Sequence, residues 1–149
     1  MKLTVSRETF LARLGVAVRG ASTRGPVPSL AGVLLRVEDG KAELQATDME
    51  LGVRVALDTT DSSPGQAVVP GRLLLDVVRS LPKDELTLEY RSAEQDVEVV
   101  SGPAKFHLRT LPLDDFPKLP EPDPSAAIAV PATAFIETCL LYTSPSPRD

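Results

Sequence analysis

Apolar positions along the chain follow two rhythms, a period of two and a period near 3.6, and their alternation predicts an order of strand, helix and three strands that occurs twice. Leu3, Thr4 and Val5 read as a short strand. Ser6 then stands where a hydroxyl can cap a helix from Arg7 to about Arg19, with Phe10, Leu11, Leu14, Ala17 and Val18 on its apolar side. The segment GASTRGPVP, residues 20 to 28, has the composition of an exposed loop and carries Arg24. SLAGVLLRVE and KAELQAT flank Asp39-Gly40, a dipeptide suited to positive φ angles, so residues 30 to 47 read as a hairpin. LGVRVAL from Leu51 is a third strand, TTDSSPG is loop by composition, and QAVV resumes as strand. Pro70 suits the first turn of a second helix, along which Leu74, Val77, Val78 and Leu81 recur at helical spacing until Pro82 stops it. LTLEYR, DVEVV and KFHLRTL complete the second set of three strands.

The repetition leaves a trace in the residues themselves. LTVSRETFLARL, AVVPGRLLLDVVRSL and IAVPATAFIET each run from a strand ending in Val through Ser or Pro into an apolar helical start. Val5, Val69 and Val130 mark the three copies, about sixty residues apart. The expected fold class is therefore α+β, built of duplicated β-α-βββ half-domains with two helices packed on antiparallel sheet. Two copies are complete and a third is begun. DDFPKLPEPDPS, with prolines at 117, 120, 122 and 124, supports neither a helix nor a central strand and sets a domain boundary. Residues 1–120 are expected to form one domain, and residues 121–138 a linker and the start of a second. After Thr138 the segment CLLYTSPSPRD breaks the apolar pattern with two prolines. Residues 139–149 correspond, in one reading frame, to the translation of a common transposase library adapter and are expected to be foreign to the native chain.

Composition removes several classes of function. A formal charge of −5 over 149 residues argues against a surface that is basic throughout, as a protein coating nucleic acid would need, although one basic face is compatible with it. No apolar run approaches the roughly 20 residues of a membrane-spanning helix, and the cytoplasm is the expected location. Cys139 is the only cysteine, so no internal disulfide can form, and with a single histidine no set of soft ligands for zinc is available. No metal and no cofactor are expected.

Charge nevertheless has a pattern. On the second helix Arg72, Arg79 and Lys83 fall roughly opposite the apolar stripe, and Arg72 and Arg79 are separated by about 10 Å along the axis, a span that can follow a DNA backbone without reading bases. Asp76 lies on the same side, and a merely solvated helix face is the alternative reading. Arg19 and Arg24 extend the basic character into the first loop, while Glu43, Asp48, Glu50, Glu85, Glu89, Asp96 and Glu98 lie mostly in or beside strands. This predicts charge segregated by element type, with basic helices facing DNA and acidic sheets facing away. A free-standing interaction domain using the edge from Lys105 to Arg109 is a second reading.

Catalytic chemistry finds little support. Asp48 and Glu50 could form a carboxylate pair, but they lack a neighbouring histidine, and a turn explains them more cheaply. His107 alternates with Lys105 and Arg109 as on an exposed strand face, and no nucleophile accompanies it. Ser6 and Ser101 lie in no nucleophile elbow, and Gly20 to Gly25 lacks the pattern of a phosphate-cradling loop.

Taken in order, MKLTVSRETFLARL, RGPVPSLAGVLLRV, ATDMELGVRVAL, VVPGRLLLDVVRSLP and above all FHLRTLPLDDFPKLP resemble the bacterial sliding clamp, the beta subunit of DNA polymerase III. The similarity runs from Met1 to about Thr138. It implies a DNA-clamp fold and a non-catalytic processivity factor, in which two chains of three similar domains close head to tail into a homodimeric ring around duplex DNA. It implies that Arg24, Arg72 and Arg79 point toward the DNA. It also implies that the strand carrying Lys105, Phe106 and Leu108 meets the third domain of the partner chain. At Leu73 and Pro103, where the family can present basic residues across that seam, this sequence departs from the pattern. The family's pocket for polymerase and clamp-loader peptides lies between the second and third domains, so this chain is not expected to bind those peptides.

Overall fold

The computed structural model describes the backbone of residues 1–143 and the side chains of residues 1–141. Residues 1–118 form one compact unit and residues from Leu119 onward a second. The first unit contains strands β1 (Lys2–Ser6), β2 (Gly32–Glu38), β3 (Lys41–Thr47), β4 (Gly52–Leu57), β5 (Asp61–Ser63), β6 (Gly65–Pro70), β7 (Glu85–Arg91), β8 (Asp96–Ser101) and β9 (Ala104–Arg109). Helix α1 (Arg7–Val18) follows β1, and helix α2 (Gly71–Ser80) follows β6. The β-α-βββ order therefore occurs twice, as expected, and the class is α+β. One addition is β5, which the polar residues Asp61, Ser62 and Ser63 concealed. It pairs with β1 through its backbone alone, where composition leaves no signal.

The strands form two antiparallel sheets, in the orders β5-β1-β7-β8-β9 and β4-β3-β2-β6. Each half thus gives its first strand to the other. β1 pairs with β7, bringing Leu3 opposite Leu88 and Val5 opposite Leu86, and β6 pairs with β2, bringing Val69 opposite Val33. The repeat valines Val5 and Val69 are both fully buried at the ends of these exchanged strands.

One face of each sheet and the apolar stripes of both helices enclose a single core. Phe10, Leu14 and Ala17 of α1 and Leu74 and Val78 of α2 are fully buried there with Leu35, Leu44, Leu86, Leu88, Val97 and Val99 from the strands. Leu75, outside the predicted stripe, is also buried in this core. Ser6 caps α1 by accepting from Thr9 N at 3.1 Å, worth about 1 kcal/mol. The hairpin between β2 and β3 turns at Asp39 (φ 51°) and Gly40 (φ 74°), the pair of positive φ angles that a two-residue turn matched to strand twist requires.

A smaller cluster lies outside the main core. Leu34 and Val68, on the other side of their sheet, are covered by Phe116 and Leu111. Leu111 N donates to Val68 O at 2.8 Å, which anchors the segment from Thr110 to Phe116 across the sheet. A side chain at Gly32 would bring its Cβ within 2.9 Å of the Leu111 side chain, so the close approach needs glycine.

The outward face of β7, β8 and β9 is a network of ions. Arg91 donates from Nε and Nη2 to the two oxygens of Asp96 at 2.8 and 2.6 Å. Lys105 Nζ lies 3.7 Å from Glu98, and the His107 ring nitrogens lie 3.5 Å from Asp96 and 3.7 Å from Glu98. This corrects the expectation of acidic sheets: the strand face is mixed, because Arg91, Lys105 and Arg109 share it with the carboxylates. The hydrogen bond from Arg91 holds the Asp96 carboxyl below its ordinary range, against the smaller opposing effect of desolvation.

In the second unit, Asp123 accepts from Ser125 N at 2.9 Å at the start of a short 3-10 turn, Pro124–Ala126. Helix α3 (Ala132–Thr143) follows. It runs past Thr138, where the sequence pattern suggested a break, because Cys139, Leu140 and Leu141 are compatible with helix and the prolines at 145 and 147 come later. Those prolines and the rest of the expected adapter-derived tail beyond residue 143 lie outside the described residues. No described helix is long and apolar enough to cross a membrane.

Two outcomes check this account. Phe10→Ala removes the largest fully buried side chain and should cost about 3–5 kcal/mol in urea unfolding, enough to leave little folded protein. Asp96→Asn should lower Tm at neutral pH. Because the folded-state pKa of Asp96 lies below its unfolded value, the stabilisation is present above the unfolded pKa of about 3.9 and disappears as pH falls through the folded value. The Tm difference between the two proteins should therefore close below about pH 4.

Candidate nucleic-acid interface

The two helices lie side by side and run in opposite directions, and two contacts fix this. At one end Arg7, at the start of α1, donates from Nε to Val78 O at 3.0 Å and from Nη2 to Arg79 O at 2.7 Å, satisfying carbonyls at the end of α2. At the other end Gly71, opening α2, sits so close to Val18, closing α1, that a Cβ would approach its side chain to 3.3 Å. The loop that leaves α1 therefore emerges beside the start of α2.

The side of this layer away from the core carries the basic residues. On α1 the exposed positions are Glu8, Ala12, Arg13 and Val16, and Arg19 is exposed at its C-cap. On α2 they are Arg72, Leu73, Asp76, Arg79 and Ser80. At 100° per residue Arg72 and Arg79 lie within about 20° of each other around the axis, so both guanidinium groups leave α2 along one flank. Arg79 Nη1 lies 3.7 Å from Asp76 Oδ1, with both side chains mostly exposed. A pair of that kind contributes about 0.3–0.5 kcal/mol and does not hold the arginine away from a stronger anionic partner. Arg24 is exposed in the loop after α1. The antiparallel layer thus places the Arg19–Arg24 segment at the Arg72 end of α2, with Arg79 about two turns away.

Three features escaped the sequence reading. Arg13 is exposed on the same layer, and its place on the flank of α1 opposite Leu11 could have shown it. Arg7 falls on the core side of α1, and its use as a cap for α2 spans more than seventy residues. Ser29, at the foot of the Arg24 loop, is fully buried and donates to Pro112 O at 2.6 Å. Neither of the last two contacts has a local signature.

The strand that the resemblance placed at a subunit seam is an edge of its sheet, since among the described residues β9 pairs only with β8. Lys105 is exposed, Phe106 is half-buried against the core, and Leu108 is only 2% exposed. Leu108 is thus an ordinary core side chain, and what it offers at the edge is its backbone. Leu73 and Pro103 are exposed.

The residues weighed for catalysis are not brought together. Asp48 lies in the turn between β3 and β4, where its carboxylate accepts from Leu51 N at 2.7 Å and Glu50 N at 2.9 Å. These bonds hold its pKa below the ordinary range, which makes it a poor proton acceptor. His107 belongs to the other sheet. Among the described residues no group of three or more His, Cys, Asp or Glu is placed to hold a metal ion.

The family described as "DNA polymerase III beta subunit, N-terminal domain" matches residues 1–120. The beta sliding clamp of Micrococcus luteus is 36% identical over 149 residues, which are all of this chain and 47% of that protein. That of Streptomyces coelicolor is 35% identical over 135 residues, 91% of this chain and 35% of the relative. The crystal structure of the Pseudomonas aeruginosa sliding clamp bound to griselimycin superposes with a TM-score of 0.75 at 34% identity, covering 83% of this chain and 33% of that one. The chain therefore spans about a third to a half of the length of these relatives. With a family match over most of its residues and the same fold in a solved sliding clamp, the chain belongs to the DNA polymerase III beta subunit family, the bacterial sliding clamps, and its first 120 residues form that family's N-terminal domain.

Proposed function

We propose that this chain is the DNA-facing first domain of a replicative processivity factor. The whole protein would encircle duplex DNA as a homodimeric, head-to-tail ring and tether the polymerase to it. The observation that carries this reading is the exposed basic side of the antiparallel helix pair. Its phosphate-binding groups are spread over two helices and a loop, and none is aimed at a base-reading pocket. Arg24, Arg72 and Arg79 are the principal DNA contacts, with Arg13 and Arg19 adding positive potential on α1. Such contacts are weak and independent of sequence, which suits a protein that must slide.

The remaining assignments follow from the same reading. The β9 edge, with Lys105 exposed, Phe106 half-buried and Leu108 supporting them from the core, is the surface that meets a partner chain. Residues 121–138 are a linker and the start of a second domain, and residues 139–149 are not native to the protein. The factor works in the cytoplasm with a clamp loader and a polymerase, performs no catalysis of its own, and needs neither metal nor cofactor.

Fluorescence anisotropy of a labelled 20-base-pair duplex at low ionic strength tests the DNA contacts. Replacing Arg24, Arg72 and Arg79 together by Glu should weaken binding by more than about tenfold and lower the slope of log K against log salt by about 2 to 3. Retention of wild-type affinity would exclude this face as the DNA contact. In the full-length protein, Phe106→Asp should convert the ring to monomers in sedimentation velocity, because it places a charge in a seam that must be dehydrated.

A further inference from the structure

Ser29 is a fully buried polar residue outside the DNA-contact set. A hydroxyl withdrawn from water is costly unless it finds a partner. Here it donates to Pro112 O at 2.6 Å across 83 positions of sequence.

Its place in the loop gives that bond significance. Residues 23 to 28, including Arg24, are all exposed, and Ser29 and Leu30 are the first buried residues on the downstream side. Ser22 N donates to Leu30 O at 2.7 Å and closes the loop at its base. The Ser22 hydroxyl accepts from Arg24 N at 3.3 Å and also contacts Arg24 O. The rim of the loop is therefore organised from its feet, and the downstream foot is fastened by Ser29 to the segment from Thr110 to Phe116. That segment is itself secured. Thr110 N donates to Gln95 O at 3.0 Å, Leu111 N donates to Val68 O at 2.8 Å, and Phe116 packs on Leu34 and Val68.

We propose that Ser29 is the positioning residue of the DNA-contacting loop: its hydrogen bond to Pro112 fixes the loop's foot to the Thr110–Phe116 segment and so holds Arg24 in place for a phosphate. This rests on the reading of Arg24 as a DNA contact. The loop, with few buried groups of its own, takes its rigidity from a strap folded over the far side of the sheet. Without the bond, the foot keeps the apolar anchorage of Leu30 but loses the direction imposed by the hydroxyl. Arg24 then samples many positions, and its contribution to binding is lost although the residue remains.

The 149-residue chain is sufficient for the test, with Ser29→Ala, Arg24→Ala and the double variant compared by duplex anisotropy over a salt series. Arg24→Ala should weaken binding by about three- to tenfold and reduce the salt slope by about 0.9. Ser29→Ala should reproduce both effects while all basic residues are retained, and the double variant should bind no more weakly than Arg24→Ala alone. Backbone 15N order parameters in the DNA-free protein should fall across residues 23–27 in Ser29→Ala and remain at wild-type values in Arg24→Ala. If Ser29→Ala weakens binding additively with Arg24→Ala, or lowers Tm with no change in salt slope or loop order, Ser29 is only a structural residue and the proposal is overturned. If Arg24→Ala itself binds as tightly as wild type, Arg24 is not a DNA contact. The reading beneath the proposal then fails, whatever the order parameters show about Ser29 and the loop.

Discussion

The exchange of first strands between the two half-domains is the constraint on which the rest of the structure depends. β1 completes the sheet of the second half and β6 completes the sheet of the first, so neither half has a finished sheet by itself. Each strand feeds directly into a helix, and the exchange draws α1 and α2 together over one core. The antiparallel helix layer, the solvent side it turns outward and the position of β9 as a free edge all follow from this. A lone half would leave strand edges unpaired and the apolar stripe of its helix without half of its cover, which gives the domain a physical reason to fold as one unit.

Much of this was legible in the sequence because it is written at short range. Val5 and Val69 end their strands immediately before a helix start, and Asp39-Gly40 sits between two apolar runs, so the order of elements could be read along the chain. The pairing could not. Nothing local says that Leu3 faces Leu88 and not a residue of its own half, since both choices bury the same side chains. β5 was missed for a related reason, as it is a strand by backbone pairing with no apolar face to declare it.

The candidate site divides in the same way. Arg72 and Arg79 are exposed where helical periodicity places them, and Arg24 is exposed as its Gly- and Pro-rich surroundings implied. Charge by element was legible for the helices and misleading for the strands: counting carboxylates in β7 and β8 overlooked the cations that the register sets beside them. Arg7 could be counted as one more basic residue, but its guanidinium is committed to the carbonyls of α2. Ser29 stands at the head of the SLAGVLLRVE run with nothing to mark it, yet it is buried and bonded to Pro112. In each case the decisive partner is distant in sequence, and a residue's type does not name its partner.

The free edge at β9 has a further consequence. Lys105, His107 and Arg109 all project from the same side of this strand. If a second copy of β9 approached in antiparallel register about His107, each lysine would stand opposite an arginine, and two imidazoles would meet at the centre. Like charges placed directly across a strand pair are destabilising. The edge thus discourages stacking with itself, while a strand bearing carboxylates at alternate positions would meet no such repulsion. An unpaired sheet edge is a route to open-ended, fibre-like growth, and this spacing of Lys105 and Arg109 works against it.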